Sequence, residues 1–111
     1  VYFETAREDF ILATGMKYKD IEDIGIMMPL DETQCKYHEG AKYADVLIVE
    51  TSMKGLSPVK VELQYIVTRQ IDGKLLATGK TVQTFVDKNS FKIINLKKLY
   101  PDIWTKFEAL K

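Results

Sequence analysis

One cysteine, one histidine and three prolines are all this chain holds of those residues. With Cys35 alone, no intrachain disulfide can form, which fits a reducing compartment. A single histidine, His38, would have to serve any Ser-His-Asp or Cys-His site, and no Gly-x-Ser-x-Gly elbow accompanies it. Cys35 and His38 are three residues apart, so an extended strand points them to opposite faces, and core or edge-strand positions are the plainer reading. One Cys and one His also fall short of a usual zinc ligand set. Neither sign of charge is in excess: Lys plus Arg number 16 and Asp plus Glu 16, for a formal net charge of zero. That balance argues against a general nucleic-acid binder. No apolar run approaches the ~20 residues of a membrane span, and no signal peptide is visible. Internal repeats, linkers and low-complexity tracts are missing too.

What is present is a 111-residue chain, 46% hydrophobic and 29% charged, which reads as one globular, soluble domain. Its first fifteen residues carry the clearest helical signal. Phe3, Ala6, Phe10 and Ala13 recur at steps of three and four, Glu4, Arg7, Glu8 and Asp9 take much of the other face, and Gly15 suits a left-handed stop. A short helical segment then runs from Met16 to Ile24 and ends at Gly25. Beyond Pro29 the chain reads mainly as strand. Ile26–Leu30 enters an edge strand that continues through Glu39, and Gly40-Ala41-Lys42 forms a bend. The β-branched run Asp45–Met53 predicts a strand buried on both faces. Lys54–Pro58 has the composition of a reversal.

Val59–Tyr65 alternates cleanly, with Val59, Val61, Leu63 and Tyr65 on one side. Asp72-Gly73 marks a hairpin, and Leu75–Val86 returns, with Gly79 permitting a bulge. Pro101 opens a final helix with Ile103, Trp104, Phe107 and Leu110 as its apolar stripe. This helix either caps the sheet or packs on another subunit. One helix followed by an antiparallel sheet predicts an α+β domain, the helix wrapped by the sheet or lying on one face of it.

Gly73–Thr81 imitates a phosphate-binding loop but has the wrong glycine spacing and sits in a hairpin rather than between strand and helix. Lys54, Lys60, Lys74 and Lys80 fall near strand ends, where they either grip an anion or are ordinary solvated lysines. No self-contained catalytic constellation emerges from the residues.

A family resemblance adds to this. Tyr2-Phe3-Glu4-Thr5-Ala6-Arg7 resembles the Tyr/Trp-Phe-Glu-x-Ala-Arg core of the central helix in hot-dog-fold acyl-CoA thioesterases. The branch is the 4-hydroxybenzoyl-CoA thioesterase-like one, including the Tol-Pal-associated thioesterase. Gly15 with Tyr18–Ile24 is similar to that family's segment after the helix. Lys36 to Asp45 resembles its Arg/Lys-Tyr-x-x-Pro-Ala-Arg-Tyr-x-Asp signature, with Gly40 where Pro is usual. Thr51–Ser57, Asp72-Gly73-Lys74 and Val86-Asp87 follow in the expected order.

The resemblance implies a hot-dog fold over residues 1–111, a homodimer or tetramer with active sites at the dimer interface, and a cytoplasmic thioester hydrolase acting on acyl-CoA without a cofactor. It also implies that the catalytic Asp lies upstream of Val1, so that the chain lacks its N-terminal strand and catalytic loop. For residues present, it places Tyr2 at the acyl pocket or the helix–sheet core, and Lys54, Ser57 and Lys60 where pantetheine and phosphates bind. Ser57 has an equal claim as a turn hydroxyl bonded to its own backbone. Glu4 is a structural partner of Arg7. Alternatives on the same fold are an acyl-carrier-protein thioesterase and a non-catalytic acyl-CoA binder.

Overall fold

A central helix, α1 (Tyr2–Leu12), lies against the two strands at one side of an antiparallel sheet. The computed structural model describes residues 2–42 and 44–111, without the side chains of Tyr2 and Phe3. Tyr43 of the signature segment lies outside the described residues. On α1, Ala6 and Ile11 are buried and Phe10 packs beside them, while Ala13 is exposed. The stripe expected to reach Ala13 ends early because the helix stops at Leu12. There the Thr14 hydroxyl donates to the Ile11 carbonyl at 2.6 Å, and Gly15 takes φ +85°. Helix α2 (Tyr18–Ile24) follows, buries Ile21 and stops at Gly25, whose φ is +111°. In front of it the Asp20 carboxylate accepts the Lys17 N–H at 3.0 Å.

Strand β1 (Ile26–Met27) leads through Pro29 into β2 (Leu30–Tyr37); β3 (Leu47–Ser57), β4 (Lys60–Arg69), β5 (Leu75–Thr84) and β6 (Val86–Asp87) follow. The four long strands form one sheet in the order β2-β5-β4-β3, and β1 pairs with β6 in a small separate ladder. Strand β4 is the spine, with Val61, Leu63, Tyr65 and Val67 alternately buried. Val59, expected in that row, sits in the β3–β4 turn and is exposed.

Strand β3 corrects the expectation of a strand buried on both faces. It is one of the sheet's two edge strands, with Leu47, Val49, Thr51 and Met53 half-buried and Ile48, Glu50 and Ser52 exposed. A β-branched run has the composition of a central strand, but here only one face meets the core. It also runs on into the predicted reversal as far as Ser57, taking up a register shift between Met53 and Gly55. Gly79 holds regular register with Tyr65 and Cys35 and makes no bulge.

At the C-terminus Asn95 caps a short helix that the sequence pattern did not reveal, α3 (Leu96–Leu99), by accepting the Lys98 N–H at 2.9 Å. Helix α4 (Pro101–Glu108) buries Ile103, Trp104 and Phe107. These join Leu96, Ile26 and Phe85 in the main core, with the Phe85 and Phe107 rings edge to face at 5.6 Å. Of the two placements left open, the chain's own core receives this helix.

Candidate active site

Two concave surfaces lie on opposite faces of the sheet. The first is a cleft of about 600 Å³ between α1 and the outer strand, lined by Thr5, Ala6, Asp9 and Phe10 and by Leu47, Val49 and Thr51. The helical residues fall in two adjacent pairs one turn apart, and the strand residues alternate, so each set shares a face. Phe10 and Val49 tie the cleft floor to the main core. Polar groups are few: the Thr5 and Thr51 hydroxyls and the Asp9 carboxylate. An apolar trough with a few polar groups suits a ligand with an acyl part. Because β3 pairs only with β4 among the described residues, the cleft opens along a free edge of the sheet.

The second is a groove of about 640 Å³ on the sheet's other face, among Gln34, Lys36, Lys54, Gln64, Thr78 and Lys80. Glu62 also borders it, and Lys80 Nζ lies 3.9 Å from its Oε1 and 3.7 Å from Glu32 Oε1. These lysines come from β2, β3 and β5, and only pairing through β4 assembles them.

The predicted site residues therefore separate. Lys54 lines the groove with Lys36 and Lys80. Lys60 is exposed at the first position of β4, opposite Thr84. Lys74 lies at the far end of that strand, 3.1 Å from Glu39 Oε1. Ser57 behaves as a turn hydroxyl: its Oγ accepts the N–H groups of Val59 at 3.3 Å and Lys60 at 3.2 Å. The Tyr2 side chain lies outside the described structure. Cys35 and His38 are both exposed at the β2 edge, His38 with its N–H on the Leu76 carbonyl at 2.8 Å.

Glu4 and Arg7 form no ion pair among the described residues. Glu4 is exposed, whereas Arg7 is half-buried, its guanidinium near the hydroxyls of Tyr18 and Tyr65. Arg7 Nε is sealed from solvent without a hydrogen-bond partner. Beneath α1 the Tyr65 hydroxyl and Thr81 Oγ1 are 2.7 Å apart, and Gln83 Nε2 donates to the Met28 carbonyl at 2.7 Å and the Tyr18 hydroxyl at 3.1 Å. Burial pushes the Tyr18 and Tyr65 hydroxyls above their usual pKa, so both stay protonated partners of this network.

The shifted carboxylates are structural. Asp45, Asp72 and Asp87 are each held below the usual range, foremost by backbone N–H groups of Lys42, Lys74 and Ser90. Asp45, from the signature segment, also accepts Arg69 Nε at 3.1 Å, and Arg69 reaches Asp72 at 3.0 Å and Glu39 at 3.5 Å. A carboxylate stabilised as an anion in a turn is a poor general base, and none of these three lines the cleft or the groove. The signature thus clamps the entry of β3 to the end of β4.

Residues 1–102 match the thioesterase-like superfamily. Among curated proteins, YneP of Bacillus subtilis, named as a candidate acyl-CoA thioesterase, is 28% identical over 111 residues, all of this chain and 80% of its own length. Among solved structures, the DHNA-CoA thioesterase of Staphylococcus aureus superposes with a TM-score of 0.86 at 29% identity, over 98% of this chain and 74% of its own. The hypothetical protein TT1821 of Thermus thermophilus gives 0.87 at 27% identity, over 99% of this chain and 80% of its own. A central helix on an antiparallel sheet, shared at this level almost from end to end, is the hot-dog fold, and the chain belongs to the thioesterase-like superfamily.

Proposed function

We propose that this protein hydrolyses acyl-CoA thioesters to the free acid and CoA, with the acyl group in the cleft between α1 and β3. The observation that carries the reading is the cleft itself, an apolar trough with three polar side chains on the central helix and outer strand of a thioesterase-like fold. The named activities of YneP and of the Staphylococcus aureus enzyme support the CoA ester as substrate.

In this reading a second copy pairs along the β3 edge and closes the cleft, giving a homodimer or a dimer of dimers. The carboxylate that activates water, or attacks directly, is the family's Asp upstream of Val1, and α1 N–H groups polarise the thioester carbonyl. With water as the attacking group, a C–O bond forms as the C–S bond breaks, and the proton the carboxylate takes from water passes to the leaving CoA thiolate. With direct attack the new C–O bond is an acyl-Asp anhydride, which water then hydrolyses to the free acid. Tyr2 borders the acyl group, while Lys54 and Lys60 attract the phosphates of CoA. The branch is the 4-hydroxybenzoyl-CoA thioesterase-like one, and the protein works in the cytoplasm, where an exposed lone thiol such as Cys35 persists.

The test is thiol release from a panel of short, long and aromatic acyl-CoAs by the full-length protein. Turnover that disappears when the upstream Asp becomes Asn is the expected result. CoA esters that bind without turnover would instead establish a non-catalytic binder, and turnover confined to acyl-carrier-protein esters would replace the substrate.

A further inference from the structure

From Lys88 onward the chain has six lysines and two carboxylates, Asp102 and Glu108, although its formal charge overall is zero. Between Lys88 and Tyr100 there is no acidic residue. The same stretch leaves three large apolar side chains in solvent: Phe91 is 61% exposed, Ile93 64% and Leu99 57%.

This exposure does not belong to a loose tail. The Asp87 carboxylate accepts the N–H groups of Asn89 and Ser90 at 2.9 and 2.8 Å, and the Asp87 carbonyl accepts that of Phe91 at 2.9 Å. The Ile94 N–H donates to the Phe85 carbonyl at 2.9 Å, and Ile93 bridges to Val86. Ile94 packs against the core, so its neighbour Ile93 faces out. Phe91 itself holds φ +58°, a backbone conformation in which a bulky side chain is strained and Gly or Asn is usual. Folding alone would favour a smaller residue at that tip. Lys88, Lys92 and Lys98 stand exposed in the same stretch, whereas Lys97 Nζ lies over the Trp104 ring at 5.9 Å.

We infer that residues 88–99 dock on an anionic lipid bilayer, with Phe91 at headgroup depth and Lys88, Lys92 and Lys98 against lipid phosphates. An aromatic tip flanked by lysines matches an interface that is apolar below and negative at its surface. An acidic partner protein that binds through a helix would call for a groove rather than a tied, outward turn. Each lysine near such a surface contributes about fivefold in binding, screened by salt, and a buried aromatic at least about tenfold.

The experiment is co-sedimentation of the full-length protein with vesicles of phosphatidylcholine alone and of phosphatidylcholine with phosphatidylglycerol. Binding to the anionic vesicles only, weakened by salt, is expected. It should fall at least about tenfold in Phe91→Gly and more in the triple variant Lys88→Gln, Lys92→Gln, Lys98→Gln, with melting temperature and far-UV circular dichroism preserved. Absence of binding to anionic vesicles at low salt overturns the inference, as does binding that these substitutions leave unchanged. Capture of an acidic carrier protein through the same residues, without vesicle binding, overturns it in favour of protein docking.

Discussion

Single side chains in this protein do plainer work than their types advertise. Ser57, a hydroxyl that the family resemblance would place at CoA, spends its oxygen on two turn N–H groups. Ser57→Ala should cost about 0.5–1.5 kcal/mol in urea unfolding and leave the Michaelis constant for CoA esters unchanged. A raised constant at unchanged stability would restore Ser57 to the substrate. Lys54 is the contrasting case, since it shares a groove with Lys36 and Lys80. Lys54→Gln should raise that constant by about fivefold, the effect of one surface charge of about 1 kcal/mol; an unchanged constant would remove it from the CoA path.

The titrating groups set the pH profile of stability. Tyr18 and Tyr65 have folded pKa values raised above the ordinary 10.0, so their contribution is complete below pH 10 and is lost as pH rises through the folded values. Asp45, Asp72 and Asp87 are lowered from 3.8, so theirs is present above that pH and lost as acid titrates the folded groups. Melting temperature should therefore fall on both flanks, and Tyr65→Phe should soften the alkaline one.

At the scale of elements, the two ends of the chain pack differently. Helix α4 is fastened by apolar contacts, Phe107 against Phe85 above all. Phe107→Ala should cost about 3–5 kcal/mol and lower the melting temperature by many degrees, whereas truncating the exposed Leu99 should change it little. Strand β3 is fastened along one side only. Its other side is an eleven-residue edge with no partner strand among the described residues, a template for a further strand. If that strand is a second β3, the full-length protein should run as a dimer in light scattering, and an edge-blocking Ser52→Pro should yield monomer. A monomeric wild type would count against the cleft closed by two copies.

For the whole molecule, the sheet separates two chemistries. Its helix-covered face carries the core and the apolar cleft, and the opposite face carries lysines, glutamines and a glutamate. The C-terminal stretch adds a lysine-rich, partly apolar surface tied to β6. A zero net charge thus conceals an uneven distribution, and averaging over composition cannot show it.

Local patterns determined a good deal of this. Gly25 ends α2 where the pattern places it, because a left-handed stop is a one-residue property, and Gly15 takes the left-handed φ expected of it although α1 has already stopped at Leu12. The β4 alternation and the Asp72-Gly73 hairpin follow from pleat geometry and turn chemistry, and the ordered motifs of residues 2–87 carried the family. The rest depends on which surfaces meet. Ile11 rather than Ala13 completes the buried stripe because α1 ends at Leu12. A β-branched run became an outer strand because nothing in its sequence states how many neighbours it has. Arg7 turned from an expected surface pair to the tyrosines beneath the helix because it lies between Phe10 and Ile11 on the buried arc. Lys36, Lys54 and Lys80, far apart in the chain, share one groove only because their strands pair in the order β2-β5-β4-β3, and a register set by long-range pairing leaves no mark in a local spacing.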